Sequence, residues 1–197
     1  MCIRDRQLQL LVEMLDSTFS IVEPEVCHLE VYGHQYRNLL MLGATEFETQ
    51  CRGVLQANGF EGNKRLNTRD FIKLKDLMFL NEYSLRFTSC PWLSLFKPFD
   101  GWRADKPTQS LPWYDAYNEI KHHREENEAK AQLQYAMESI AAVCIMLVAQ
   151  YGWDRRGLGW MREKFNLYLP STFDIERVYF AGKWKERMFN FQECTAE

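Results

Sequence analysis

Apolar residues recur at helical spacing in four stretches of the chain and alternate in one. Leu8, Leu11, Leu15 and Phe19, with Val12 beside them, predict an amphipathic helix over 8–19 that ends before Pro24. VCHLEVYG then reads as extended chain or loop. A second stripe, Tyr36, Leu40, Phe47, Cys51 and Val54, predicts a long helix over about 35–58, closed at Gly59. Gly43 falls inside that stripe. Glycine in a helix costs about 1 kcal/mol relative to alanine, so its presence there points to close packing against another helix, the alternative being a glycine that is merely tolerated.

Past the loop EGNKRL, Asn67 or Thr68 is placed to cap a short helix with Asp70 in its first turn. The pattern then changes. Tyr83, Leu85 and Phe87 alternate with polar residues, which predicts a strand, and Pro91, Pro98 and Gly101 punctuate the chain beyond it. Residues 83–111 read as a small hairpin or irregular insert between helices. Pro112 suits the first position of a helix, having no N–H to leave unsatisfied, and a helix is expected over 113–122. HREENEA interrupts the apolar pattern. The most apolar helix is expected over about 129–151, with the stripe Leu133, Met137, Ile140, Cys144, Leu147 and Tyr151, widened by Ala136, Ala141 and Val148 and stopped by Gly152. Residues 153–197 are aromatic and basic, and a Gly between two β-prone runs predicts a C-terminal hairpin.

These elements predict a mainly α protein: one helical bundle over 7–152, decorated by the insert, with 153–197 as an extension packed on the same domain. MCIRDR resembles translated sequencing-adapter sequence, so residues 1–6 are not expected to contribute to the fold.

Composition narrows the classes. A hydrophobic fraction of 46% with 14% aromatic residues supports a core and excludes a disordered chain. A net charge of −3 gives no global attraction to nucleic acid or anionic membrane, so any such contact needs a local patch. The start of the chain has no apolar signal region, and the longest apolar run, over 140–149, is too short for a membrane span. None of the six cysteines is paired at CxxC spacing, as expected of a reduced, cytoplasmic protein. Cys27 and His28 adjoin, but no second ligand pair comes after them at finger-like distance, so neither metal nor other cofactor is expected.

Candidate chemistry concentrates in WYDAYNEIKHHREEN, which holds two of the four histidines. On a helix, Asp115, Asn118 and His122 share one face, and Tyr114, Tyr117, Lys121 and Arg124 the adjacent one. An imidazole moves protons near neutral pH, an amide orients groups, and Lys and Arg neutralise a phosphate or its transition state. Together they suffice to cleave RNA without a metal. A solvated charged helix end accounts for the same residues with no chemistry at all. His28 and His34 read as loop or helix-start residues. Glu46 and Glu48 sit mid-helix among apolar residues. Glu46 is placed either at the surface or towards His122. In the tail, Trp153, Trp160 and Trp184 interleave with Arg155, Arg156, Arg162, Lys183 and Lys185, a pattern that packs a core or stacks bases.

The region from Tyr117 to Gly152 resembles the signature region of the HEPN superfamily of helical domains, and residues 36–55 resemble that family's first long helix. The family carries an Arg, a polar residue and then a His, at a helix end just before the last long helix. Asn118 matches the polar residue and His122 the His, but Tyr117 stands at the Arg position. The resemblance implies a HEPN-like bundle acting as a homodimer, with two motifs facing one site. It further implies metal-independent RNA cleavage or RNA binding in a defence or toxin–antitoxin setting, with a cognate antitoxin as partner. Expected catalytic residues are His122, Asn118, Lys121 and Arg124, the last two as substitutes for the missing arginine; Tyr117, Arg37, Arg155 and Arg156 are expected to bind substrate. The alternative is a catalytically silent HEPN-like interaction or nucleotide-sensing module.

Overall fold

The computed structural model describes residues 3–60, 65–152 and 159–171. The described chain is mainly helical. The α1 helix (Ile3–Thr18) begins ahead of Leu8, inside the MCIRDR segment, and buries Leu8, Leu11, Val12 and Leu15. Thr18 closes it by donating its hydroxyl to the Leu15 carbonyl at 2.7 Å. A single 3₁₀ turn at Val26–His28 follows, in the stretch that reads as extended chain or loop.

The centre of the molecule is a parallel pair of helices, α2 (His34–Ala57) and α6 (Leu133–Tyr151). Their starts are tied together by a bridge between Tyr32 and Gln132 and by bonds from Leu133 N to Val31 O and from Gly33 N to Ala131 O. Further along, Gly43 lies against Ser139, and at the far end Gln150 Nε2 donates to Gln50 Oε1 at 3.4 Å. Gly43 therefore plays the expected role. A Cβ there would lie 2.4 Å from Ser139 Oγ and 3.0 Å from Ser139 Cβ. The sequence pattern predicts a widened stripe on α6, but apart from Glu138 every residue from Ala136 to Gln150 is buried. By length and composition α6 passes as a membrane span, yet most of it is buried inside the fold, as in a core helix. Both α1 and α5 (Pro112–His122) pack against α2 and α6.

Between α2 and α5 come two short helices, α3 (Thr68–Phe71) and α4 (Lys73–Leu77). Asn67 caps α3 as anticipated, its side chain accepting from Arg69 N while Asp70 accepts from Asn67 N.

The insert departs from expectation in two ways. Strand β1 (Ser84–Phe87) makes only an isolated bridge within the insert, Leu85 to Phe96. Its main partner is β2 (Phe165–Tyr168), which follows α7 (Gly159–Lys164); the strands pair antiparallel with Ser84 opposite Tyr168 and Phe87 opposite Phe165. The insert is also core material. Phe99 and Trp102 join Phe71, Trp113 and Tyr114 around the Phe47 ring, at centroid distances of 5.4–6.4 Å. The two indole N–H groups find carbonyls, Trp113 donating to Pro98 and Trp102 to Pro107, both at 2.8 Å. Bulky aromatics bury the most area per residue, so this cluster fixes α2, α3, the insert and α5 as one unit. The anticipated C-terminal hairpin lies outside the described residues.

Candidate functional site

The apolar face of α5 is Trp113, Ala116, Tyr117 and Ile120, all buried. One edge of that face opens on a cleft of about 220 Å³. Tyr114, Asn118 and Lys121, at i, i+4 and i+7 on α5, form one wall. Glu48 and Arg52 of α2 form the floor, and Asn67, Thr68, Phe71 and Thr108 form the opposite wall. The two threonine hydroxyls bond each other at 2.9 Å, joining α3 to the insert.

Glu48 organises the floor. It is 8% exposed although its neighbours Phe47 and Cys51 belong to the core. A buried carboxylate needs partners, and this one has three. Tyr114 donates to Oε1 at 2.8 Å, Tyr117 donates to the same oxygen at 3.2 Å, and Arg52 pairs with Oε2. Lys121 Nζ in turn donates to the Tyr117 hydroxyl at 2.9 Å and lies 5.0 Å from that ring's centroid. Burial, reinforced by the Glu48 charge, pushes the Tyr114 phenol far up, so it stays a donor. The hydrogen bond to Tyr117 pushes Lys121 up, so it stays a cation.

Arg52 also lies over the Phe71 ring, 5.6 Å from its centroid. Among the described residues, two cations thus border the cleft against one carboxylate, with hydroxyl and amide groups and the apolar Leu66 and Phe71 side chains between them. An arrangement of this kind holds an anion and orients its polar substituents.

The residues expected at the site divide sharply. Asn118 and Lys121 line the cleft, and Tyr117 lies buried behind it. The face assignment shifts, because the cleft takes Tyr114, Asn118 and Lys121, a set drawn from both faces read in the sequence. His122 is exposed and outside the lining. Arg124 is not on the helix. The chain leaves helical geometry at His123 (φ −136°, ψ 60°), so Arg124 sits in an exposed turn and no longer shares a side with Tyr117. Arg37 is also outside the lining, eleven residues before Glu48 on α2, or about 16 Å along the axis; its guanidinium donates to Asn38 Oδ1 at 3.1 Å. Arg155 and Arg156 lie outside the described residues.

The lesser candidates are also placed. His28 Nδ1 is 2.8 Å from the Glu23 carbonyl oxygen, and His34 Nδ1 is 3.3 Å from Glu128. Glu46 accepts from Gln50 at 3.2 Å. Trp160 is half-buried, packed against the core.

The floor and far wall were missed by sequence reasoning. Glu48 and Arg52 did carry a signal, an acid and a base at i, i+4 next to the apolar stripe. Thr68 and Thr108 carried none, since only the tertiary fold brings them together.

No family model, curated protein or solved structure matches the chain.

Proposed function

We propose that this chain is a HEPN-like binding module that senses an anionic ligand in the Glu48 cleft and does not cleave RNA. The HEPN-like part rests on the resemblance, supported by the order of elements: α5 ends at His122, and after a ten-residue connection with one 3₁₀ turn the next α-helix is the long apolar α6. The silent part rests on Tyr117. At the position of the family arginine stands a buried phenol whose hydroxyl is engaged on both sides, donating to Glu48 and accepting from Lys121. Such a group braces a site and offers no charge to a transition state. Neither substitute supplies the missing charge beside His122, because Arg124 has left the helix and Lys121 is turned to Tyr117 and the cleft.

A metal-independent RNase is the second reading, favoured by Asn118 and Lys121 lying together in the cleft within one turn of His122. It requires a homodimer that brings His122 to its copy, since one imidazole cannot serve as acid and base at once. Incubating the purified protein with RNA in EDTA separates the two. The binding-module reading expects no products carrying a 2′,3′-cyclic phosphate. Cleavage by the wild type that is lost in His122→Ala overturns it.

A further inference from the structure

We infer that the cleft between Arg52 and Lys121 is a site for a small phosphate monoester with a hydroxylated body, of the sugar-phosphate class. This rests on the reading of the cleft as the functional site and goes further by naming the ligand chemistry.

Charge selects the phosphate. Glu48 accepts only one of Arg52's five N–H donors among the described residues, and Lys121 donates only to a neutral phenol. Both cations keep donors for a ligand. A guanidinium fork and an ammonium point charge are the two groups that hold phosphate oxygens. The carboxylate that would repel an anion lies at the floor with both oxygens occupied, Oε1 by Tyr114 and Tyr117 and Oε2 by Arg52.

Size and lining select the rest. A volume of about 220 Å³ is below the roughly 300–1,000 Å³ of pockets that enclose a drug-sized ligand. A compact ligand such as a phosphate on a short carbon chain suits a cleft of that size. The wall beyond the cations offers Thr68, Thr108 and Asn118, which donate and accept as a polyol requires.

Among the described residues, the cleft has no free ring face for a base. Phe71 is fully buried, covered by Arg52 and met edge-on by Phe47, and Tyr114 and Tyr117 are buried too. Proteins that hold bases without reading sequence do so by stacking them on accessible aromatic faces.

Titration calorimetry on the full chain tests this, with ribose 5-phosphate, ribose, AMP and a short single-stranded RNA as separate probes. Ribose 5-phosphate is expected to bind saturably, ribose not at all, and AMP no better than the sugar phosphate. Lys121→Gln is expected to weaken ribose 5-phosphate by about tenfold or more. Asn118→Asp, which changes charge at constant shape, is expected to do the same, and circular dichroism is expected to show both variants folded. Ribose 5-phosphate that fails to bind, or binds both folded variants like the wild type, overturns the inference. Binding of RNA or AMP without ribose 5-phosphate overturns it while leaving the binding-module reading intact; no heat from any probe removes both.

Discussion

The Tyr117 hydroxyl stands between Glu48 and Lys121, donating to the first at 3.2 Å and accepting from the second at 2.9 Å. One phenol therefore links a buried acid on α2 to a cation at the mouth of the cleft, and the acid is the anchor. Replacing Glu48 with alanine leaves the buried Tyr114 and Tyr117 hydroxyls without their acceptor, and each such orphan costs about 1–3 kcal/mol. Glu48→Ala is expected to lose about 2–4 kcal/mol in urea unfolding. Glu48→Gln keeps an acceptor oxygen and is expected to lose about half as much. Equal stability of both variants and wild type would show that the two phenols do not depend on this carboxylate.

Gly43 offers a second test, in the packing of α2 on α6. Helix propensity alone favours Gly43→Ala by about 1 kcal/mol. Against this, the new methyl would meet Ser139 Oγ at 2.4 Å, and that hydroxyl is held by a 2.8 Å bond to the Ala136 carbonyl. Overpacking in a tight core costs about 1–3 kcal/mol, so the net expectation is destabilisation. Adding Ser139→Ala removes the closest atom and should recover part of the loss. A double-mutant cycle that shows no coupling between the two positions would contradict the close approach.

Gly43 was legible in the sequence because a glycine inside an apolar helical stripe carries a propensity cost that close packing offsets. The helices were legible for a related reason: their signal is local and periodic. Strand β1 was recognised by its alternation, but its partner β2 lies some 80 residues on, and alternation does not say which strand pairs with which. The cleft was the least legible part. Asn118 and Lys121 stood out as polar residues at a helix end, whereas the Tyr114–Glu48 bond spans 66 residues and no local pattern announces it. Tyr117 drew notice as a departure from a motif; its role became visible only once Glu48 lay beneath it.

Glu138 makes stability depend on pH. It is the one residue between Ala136 and Gln150 on α6 that is not fully buried, and desolvation pushes its carboxyl from an ordinary 4.5 up to about 7. The folded state therefore holds this proton more tightly than the unfolded chain does. Its contribution is fully present below pH 4.5 and is lost as pH rises through about 7. The loss amounts to about 2 kcal/mol, given about 1.4 kcal/mol per pKa unit and some remaining solvent contact. Comparing Tm for wild type and Glu138→Gln between pH 5 and pH 8 isolates this group. The wild type is expected to fall relative to the variant as pH rises, and parallel curves would refute it.

Tyr117→Arg would give the chain the arginine of the motif it resembles and looks like the natural test of the RNase reading, but the packing predicts another outcome. Position 117 is 2% exposed and already adjoins Lys121, with Arg52 paired to the same carboxylate, Glu48. An arginine there would place a third cation around one acid and remove the acceptor that holds Lys121. Leaving a buried charge without its own partner costs about 3 kcal/mol or more. For a chain of this size that is a fall in Tm of roughly 6–12 °C. Tyr117→Phe removes only the hydroxyl and its two bonds. Glu48 keeps Tyr114 and Arg52, so the cost is about 1 kcal/mol and a fall of a few degrees. Thermal melts of the two variants give the order, with arginine far below phenylalanine. No RNase activity is expected from Tyr117→Arg at temperatures where it remains folded, because position 117 is buried behind the cleft rather than beside the exposed His122. An arginine variant that melts with the wild type and cleaves RNA in EDTA would reverse both conclusions: position 117 would then open to the surface, and its tyrosine would be all that separates this chain from a nuclease.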